Sequence, residues 1–156
     1  MDKKDRKLLE LLQEDAGIPL NELAQAINLS PTPCWRRIQK LRETGVIRKQ
    51  VALCSQDHLN LGLTTFVTIR TSQHNEAWMR RFVAAATSIP EIVEIYRLSG
   101  DADYLLKILV PDIARYDNVY QRLIKEIDLL DVSSAFAMEI IKCSTALPLD
   151  YVDDRD

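Results

Sequence analysis

Residues 29–45 read LSPTPCWRRIQKLRETG, and this stretch decides the fold of the first third of the chain. The Thr32 hydroxyl is placed to cap a helix, and Pro33 follows at a position where a missing N–H costs nothing. Gly45 closes the stretch with the residue that most readily adopts the left-handed conformation of a helix end. We therefore predict one helix with its cap at Thr32 and its stop at Gly45.

This predicted helix has one apolar side and one basic side. Its apolar seam repeats at i, i+4 and i+7 and consists of Cys34, Ile38 and Leu41. Between residues 32 and 49 there is one anion, Glu43, against six cations, which are Arg36, Arg37, Lys40, Arg42, Arg48 and Lys49. A solvated helix face is one interpretation of such a charge run, and a recognition helix lying against nucleic acid is the other. The charge run alone leaves both open.

The composition is that of an ordinary globular chain, with 156 residues, 47% hydrophobic and 28% charged. No apolar run approaches the ~18 residues of a membrane span, so no membrane partner is expected. The N-terminus MDKKDRK leads into an amphipathic segment and has no secretory pattern. A cytoplasmic location is the expectation.

Charge is distributed unevenly along the chain. Residues 1–50 carry ten Lys and Arg against seven Asp and Glu, whereas 51–156 carry ten against sixteen. A basic first part and an acidic second part indicate different tasks, the first of which is to meet an anion.

Two short helices precede the basic one. Asp2 is placed to cap the first and Pro19 opens the second, and a turn of about four residues then leads into the third, as in a helix-turn-helix unit. After Gly45 the run VIRKQVALC mixes β-branched and basic residues as a strand would. We therefore predict a winged helix-turn-helix domain over residues 1–50 and a strand-like connector over 51–62.

A second domain is predicted over residues 63–147. Its pattern is strand, helix, strand, strand, helix, strand, at about 63–71, 75–88, 92–98, 104–110, 113–127 and 132–145. This order is the ferredoxin-like βαββαβ arrangement, so the whole chain is α+β. Trp78 and Ile113 are expected on the buried sides of the two helices. Because the strands are apolar on both faces, we expect a dimer through this domain, and we expect the acidic tail, 148–156, to be a loose arm.

The residues supply no catalytic machinery, and no enzyme activity and no cofactor are expected. His58 and His74 each stand alone, the three cysteines have no metal spacing, and no phosphate loop or nucleophile elbow is present. The one candidate site is the loop at Gly100, where two carboxylates, Asp101 and Asp103, lie between two strands. It is either a solvated turn or a ligand loop, in which a carboxylate meets an ammonium group and a glycine N–H meets a carboxylate.

With both domains placed, the chain resembles the Lrp/AsnC family of transcription regulators over nearly its full length. The residues that carry the resemblance are Asp2, Asp5, Leu8 and Leu9 at the start, Glu22-Leu23-Ala24, Leu29-Ser30-Pro31, Arg37-Ile38, Leu41, Gly45-Val46-Ile47, and Gly100-x-x-Asp103-Tyr104. No single motif is decisive, but their joint order and spacing are specific to this family.

The resemblance implies a sequence-specific regulator of double-stranded DNA. On that basis we expect Arg36 and Lys40 to meet base edges or phosphates and Arg37 to be a structural ion-pair partner. The full predicted DNA-binding set is Ser30, Thr32, Pro33, Trp35, Arg36, Gln39, Lys40, Arg48 and Lys49.

The resemblance also implies a small amino acid effector, bound between dimers that assemble further into an octamer. The segment Thr-Pro-Cys-Trp resembles the DecR-like branch of the family, which implies a sulfur-containing amino acid such as cysteine, with a branched one as the other possibility. The predicted effector-binding set is Leu98, Gly100, Asp101, Asp103, Tyr104, Ser133, Ser134, Ala135 and Phe136. The alternative function is an amino acid sensor or interaction module that does not read DNA directly.

Overall fold

The computed structural model describes residues 1–73 and 75–152, so that His74 and the last four residues lie outside it. The chain divides into two compact units. One consists of Met1–Leu53 together with Ile141–Asp156, and the other consists of Cys54–Ile140.

The first unit is built on three helices. They are α1 (Lys3–Glu14), α2 (Leu20–Ala26) and α3 (Pro31–Glu43). Asp2 caps α1 as predicted, because its side chain accepts the Asp5 N–H at 2.8 Å. The helices enclose a small core of Leu8, Leu23, Ala24, Ile27, Cys34 and Ile38, which confirms the apolar seam of the third helix.

Helix α3 begins earlier than predicted. Ser30, not Thr32, is its N-cap, and Pro31 takes the first-turn position that was assigned to Pro33. A proline at either place satisfies the same rule, since the first turn of a helix has no acceptor for its N–H groups. Asn28 adopts a positive φ of 53° in the turn before the cap. At the other end Gly45 has φ 75°, so its predicted role as the helix stop is confirmed.

The prediction of a wing strand after Gly45 is wrong for the single chain. Residues 46–54 are all described and none of them is in a strand. Val51 and Leu53 are 59% and 72% exposed there, so most of each side chain is in contact with solvent and not packed on a neighbour. A strand needs a neighbour for its backbone hydrogen bonds, and this segment pairs with no other strand among the described residues.

The second unit is a four-stranded antiparallel sheet with two helices. In chain order it contains β1 (Leu63–Arg70), α4 (Glu76–Thr87), β2 (Ile92–Arg97), β3 (Tyr104–Val110), α5 (Ile113–Glu126) and β4 (Asp131–Phe136). The strands lie in the order β2-β3-β1-β4, and β1 therefore pairs with both β3 and β4. The predicted α+β order of elements is confirmed.

Aromatic packing holds the core of the second unit. Trp78 and Phe82 stack with ring centroids 5.3 Å apart, and Tyr104 lies 4.5 Å from Phe82. The Trp78 Nε1–H donates to the Asp128 carbonyl at 3.1 Å, so its one polar atom is satisfied. Trp78 is 1% exposed, which confirms its predicted place in the core.

Two details of the second unit differ from the predictions. Ile113 is 64% exposed, and Val119 is buried on α5 in its place. Ile113 is the first residue of α5, directly after the cap at Asp112, and the buried residues of the helix begin one turn later at Tyr116. Strand β4 ends at Phe136 and not at residue 145, because its partner β1 begins at Leu63, two residues beyond the last pair of Thr65 with Phe136.

The predicted loose arm, 148–156, is held at Val152, and Leu147 directly before it is held as well. The Gln13 side chain donates to the Leu147 carbonyl at 3.2 Å and accepts the Leu147 N–H at 2.7 Å. Arg6 donates to the Val152 carbonyl at 3.0 Å. Residues 141–152 therefore belong to the helical unit, whereas the sequence had placed 141–147 in the sheet domain.

Candidate nucleic-acid interface and effector loop

One side of helix α3 is buried in the core and the opposite side is exposed to solvent. Cys34 is fully buried and Ile38 and Leu41 are 7% and 5% exposed, whereas Arg36 and Lys40 are exposed on the other side. Burial raises the pKa of the Cys34 thiol above its usual range, which keeps it protonated and unreactive. The helix thus has a free basic face.

Arg37 is separate from that face. Its Nη1 donates to Asp2 Oδ2 at 2.6 Å and to Asp5 Oδ1 at 2.7 Å, so the predicted structural ion-pair role is confirmed. Burial acts to raise the pKa of Asp2, but the Asp5 N–H and the Arg37 guanidinium outweigh it and hold that pKa below its ordinary value. Arg37 therefore ties the middle of α3 to the start of α1.

The other predicted DNA-binding residues divide into three places. Ser30, Thr32 and Pro33 form the start of α3, with Ser30 as N-cap but without a side-chain cap bond. Trp35 is 51% exposed in the middle of the helix, with Gln39 one turn further on. Arg48 and Lys49 are exposed in the segment after the helix.

Sequence reasoning missed two polar residues beside this face. Arg42 Nη2 donates to Gln50 Oε1 at 2.6 Å, and Gln50 Nε2 donates to the Ala16 carbonyl at 3.2 Å. These bonds join the last turn of α3 to the loop after α1. The only signal in the sequence was the i, i+7 spacing of Trp35 and Arg42, which places the two on one side of a helix.

The Gly100 loop joins β2 to β3. Gly100 has φ 129°, a conformation that other residues rarely adopt, so a glycine is required there. Asp101 is exposed at the tip. Asp103 is engaged, since its Oδ2 accepts the Thr71 N–H at 2.8 Å and its own N–H donates to the Ile69 carbonyl at 2.9 Å. Asp103 thus fastens the loop to the end of β1.

Tyr104 and Leu98 flank this loop in different environments. Tyr104 is 6% exposed and packs on Phe82 in the core, whereas Leu98 is 39% exposed. A depression of about 180 Å³ lies beside the loop. It is lined by Gln73, Asn75, Glu76, Met79, Arg97, Asp103 and Tyr104.

The four predicted residues of β4 are divided between the two faces of the sheet. Ser134 and Phe136 face the helices, where the Tyr116 hydroxyl meets Ser134 and the Tyr116 ring lies edge-on to Phe136 at 5.4 Å. Ser133 and Ala135 alternate to the uncovered face. Since β1 separates β4 from β3, the start of β4 lies on the order of 10 Å from the Gly100 loop.

The uncovered face of the sheet is partly apolar. Phe66 and Tyr96 are 39% and 50% exposed on it. Beside them Lys107 Nζ lies 3.0 Å from Glu94 Oε1 and the Tyr96 hydroxyl donates to Glu94 Oε2 at 2.6 Å. The Tyr96 hydroxyl and Lys107 together hold the pKa of Glu94 below its usual value.

The remaining chemical groups form no further site among residues 1–73 and 75–152. No group of three or more His, Cys, Asp and Glu side chains there is arranged to hold a metal. His58 contacts Ser55, and His74 lies outside the described residues. None of the described helices is both long and apolar enough to cross a bilayer.

Comparisons with known proteins cover both units. Residues 1–48 match the family model for winged helix-turn-helix DNA-binding domains, and 64–147 match the model for the Lrp/AsnC ligand binding domain. The DNA-binding transcriptional activator DecR of Escherichia coli is 46% identical over 96% of this chain and 99% of its own length.

Two solved structures are also similar. An AsnC family transcriptional regulator from Agrobacterium tumefaciens is 55% identical, with a TM-score of 0.94 over 97% of this chain and 99% of that one. A Neisseria meningitidis transcriptional regulator in complex with L-Met is 33% identical, with a TM-score of 0.91 over 96% and 97%. This chain therefore belongs to the Lrp/AsnC family and is a DNA-binding transcriptional regulator whose activity is modulated by a ligand.

Proposed function

We propose that this regulator binds an imperfect palindrome as a symmetric dimer, with one α3 helix in each of two successive major grooves. The observation that carries the proposal is the division of α3 into a buried apolar seam and an exposed basic face. Two such helices related by a two-fold axis meet half-sites about one helical turn apart.

Within this arrangement the cations have separate tasks. Arg36 and Lys40 contact base edges or phosphates, and Arg48 and Lys49 take phosphates beside them. Ser30, Thr32 and Pro33 place the start of the helix against the groove. The paired Arg37 takes no part in DNA contact, because both of its acidic partners would be left without their cation. No catalytic step is assigned to either unit, and the protein acts on DNA in the cytoplasm.

We further propose that an amino acid binds at the Gly100 loop. Asp101 is the carboxylate available to an ammonium group, since Asp103 already holds the Thr71 N–H. The Gly100 N–H is the donor for the ligand carboxylate. Leu98 and Tyr104 flank the loop, and Ser133 and Ala135 on the uncovered face of β4 complete the site, whereas the predicted Ser134 and Phe136 contact Tyr116 on the opposite face. We propose a sulfur-containing amino acid, which the L-Met complex of the Neisseria relative supports.

The effector site is proposed to lie between dimers. The depression beside the loop measures about 180 Å³, which is smaller than the roughly 300–1,000 Å³ of ordinary ligand pockets. We infer that a second molecule closes the site. The uncovered apolar face of the sheet is the proposed dimer contact, and four dimers form the octamer. Effector binding then changes the assembly and with it the occupancy of promoters.

DNA binding is tested by gel shift against the upstream region of the protein's own gene. The double variant Arg36→Ala, Lys40→Ala should lose retention of the fragment. Arg81→Ala, Arg115→Ala is the matched control, because it removes the same charge from exposed positions of α4 and α5. Equal binding by both double variants contradicts the proposal.

Effector binding is tested by thermal shift with L-methionine, L-cysteine and L-leucine. Asp101→Asn should abolish the shift while the melting temperature without ligand stays unchanged. A shift that survives in this variant places the amino acid elsewhere. If amino acids shift the wild type but no DNA is retained at low salt, the protein is instead a sensor without direct DNA readout. Sedimentation with and without L-methionine reports the assembly.

A further inference from the structure

Gln39 is the centre of a small polar network on the exposed face of α3. Its side-chain amide lies 3.3 Å from Trp35 Nε1 and 3.3 Å from Arg42 Nη1. Both of these nitrogens are donors that cannot accept a hydrogen bond. The atom that Gln39 turns toward them is therefore its oxygen. The three residues follow at i, i+4 and i+7, so they share one side of the helix.

Arg42 also forms a hydrogen bond on the side away from Gln39. Its Nη2 donates to Gln50 Oε1 at 2.6 Å, and Gln50 in turn donates to the Ala16 carbonyl at 3.2 Å. Both Nη nitrogens of the guanidinium therefore have a partner, Gln50 at one and Gln39 at the other. Arg42 is therefore a positioning residue, and it sets the direction of the Gln39 amide before DNA is met.

The network determines what Gln39 can offer to a base. An amide oxygen has two lone pairs, and Trp35 and Arg42 use both. Only the N–H₂ group remains for DNA. Glutamine reads adenine by a paired contact in which its oxygen accepts from N6 and its nitrogen donates to N7, so that contact is blocked. Guanine presents N7 and O6 as acceptors, and thymine presents O4.

We propose that Gln39 is a donor-only reader that selects guanine, or secondarily thymine, and rejects adenine at the base it meets. Trp35, with its N–H engaged, contributes the apolar surface of its ring. This inference rests on the proposed placement of α3 in the major groove. It assigns the specificity at one base pair to the pairing of Gln39 with Trp35 and Arg42.

The test is selection of binding sites by the full-length protein from randomised duplexes. Comparison with Gln39→Ala identifies the base pair that Gln39 contacts, as the one at which preference is lost. We expect guanine or thymine there in the wild-type pool. Adenine at that position, or no position that responds to Gln39→Ala, overturns the inference while leaving the DNA-binding proposal intact. If the wild type selects no sequence at all, both fall.

A second comparison removes the two hydrogen-bond donors to the Gln39 side-chain oxygen. The double variant Trp35→Phe, Arg42→Met keeps an aromatic ring and an aliphatic stem but removes both donors. Adenine should then gain at the Gln39 position by roughly tenfold relative to guanine, the size of one paired base contact. Weaker binding to all sequences without a gain of adenine would show a merely structural role for the two residues and would overturn the inference.

Discussion

Replacement of Arg37 by methionine should destabilise the helical unit without direct damage to the DNA-binding face. Arg37 contacts Asp2 at 2.6 Å and Asp5 at 2.7 Å, and these bonds tie α3 to the N-terminus of α1. Methionine is an unbranched aliphatic replacement that removes the guanidinium. The capping box between Asp2 and Asp5 remains but loses its cation.

The magnitude follows from the exposure of the three side chains. Arg37, Asp2 and Asp5 are 32%, 48% and 19% exposed, so the pairs are neither buried nor fully solvated. An exposed pair contributes about 0.2–1 kcal/mol and a well-formed charged hydrogen bond about 1.5–3 kcal/mol. After solvent screening at Asp2, we expect a loss of about 1 kcal/mol. A unit of this size has an m value of about 1 kcal/mol/M in urea, so the midpoint falls by about 1 M.

The assay is urea unfolding, with hydrogen exchange of peptides from α1 and α3 to assign the transition to the helical unit. Arg36→Met is the matched control, because the neighbouring Arg36 is exposed and has no ion pair among the described residues. It should change stability by less than about 0.5 kcal/mol while it weakens DNA binding. The two variants should therefore separate stability from DNA affinity.

The effect should also depend on pH. The pKa of Asp2 is lowered in the folded state from its ordinary value of 3.8. Its contribution is therefore fully present above that value and is lost as the pH falls through the lower, folded pKa. The gap between wild type and Arg37→Met should narrow as the pH falls below 3.8. A wild type and variant with equal midpoints at pH 7 would refute the reasoning.

Three further changes have defined outcomes. Asp103→Ala leaves the Thr71 N–H without its acceptor and should lower the melting temperature of the sheet unit, with a cost of about 1–2 kcal/mol; an unchanged melting temperature would contradict the role of this bond. Trp78→Ala opens a cavity in the aromatic core and should cost about 3–5 kcal/mol in denaturant unfolding, and a loss below about 1 kcal/mol would be inconsistent with its burial. Gln13→Ala removes both bonds to Leu147 and should speed proteolysis within residues 141–152, whereas an unchanged cleavage rate would show that other contacts hold the segment.

Local patterns in the sequence carried most of the fold. The apolar seam of α3, the stop at Gly45 and the order of elements around Trp78 each follow from spacings of a few residues. Such features are set by backbone geometry and by burial of one face, which act over one or two turns. Helical spacing also places Arg37 near the apolar seam, and for that reason the sequence predicts an ion-pair role for it and not a DNA contact.

The errors arose where the outcome depends on distant residues. The segment 46–54 has the composition of a strand but pairs with no strand among the described residues, and β4 ends opposite Thr65, two residues from the start of β1. The acidic tail was predicted to be loose because nothing local holds it. Its contact with Arg6, through the Val152 carbonyl, spans 146 residues of sequence, which no local pattern can indicate.

For the functional sites the division is similar. The basic face of α3 and the glycine-bearing loop follow from the sequence alone, since charge spacing and the demand for a positive φ are local properties. That Asp103 is occupied by Thr71 and that Tyr104 is buried depends on the fold. Whether a polar atom is available to a ligand depends on which groups the fold brings within hydrogen-bonding distance, and those groups lie on other turns and other strands.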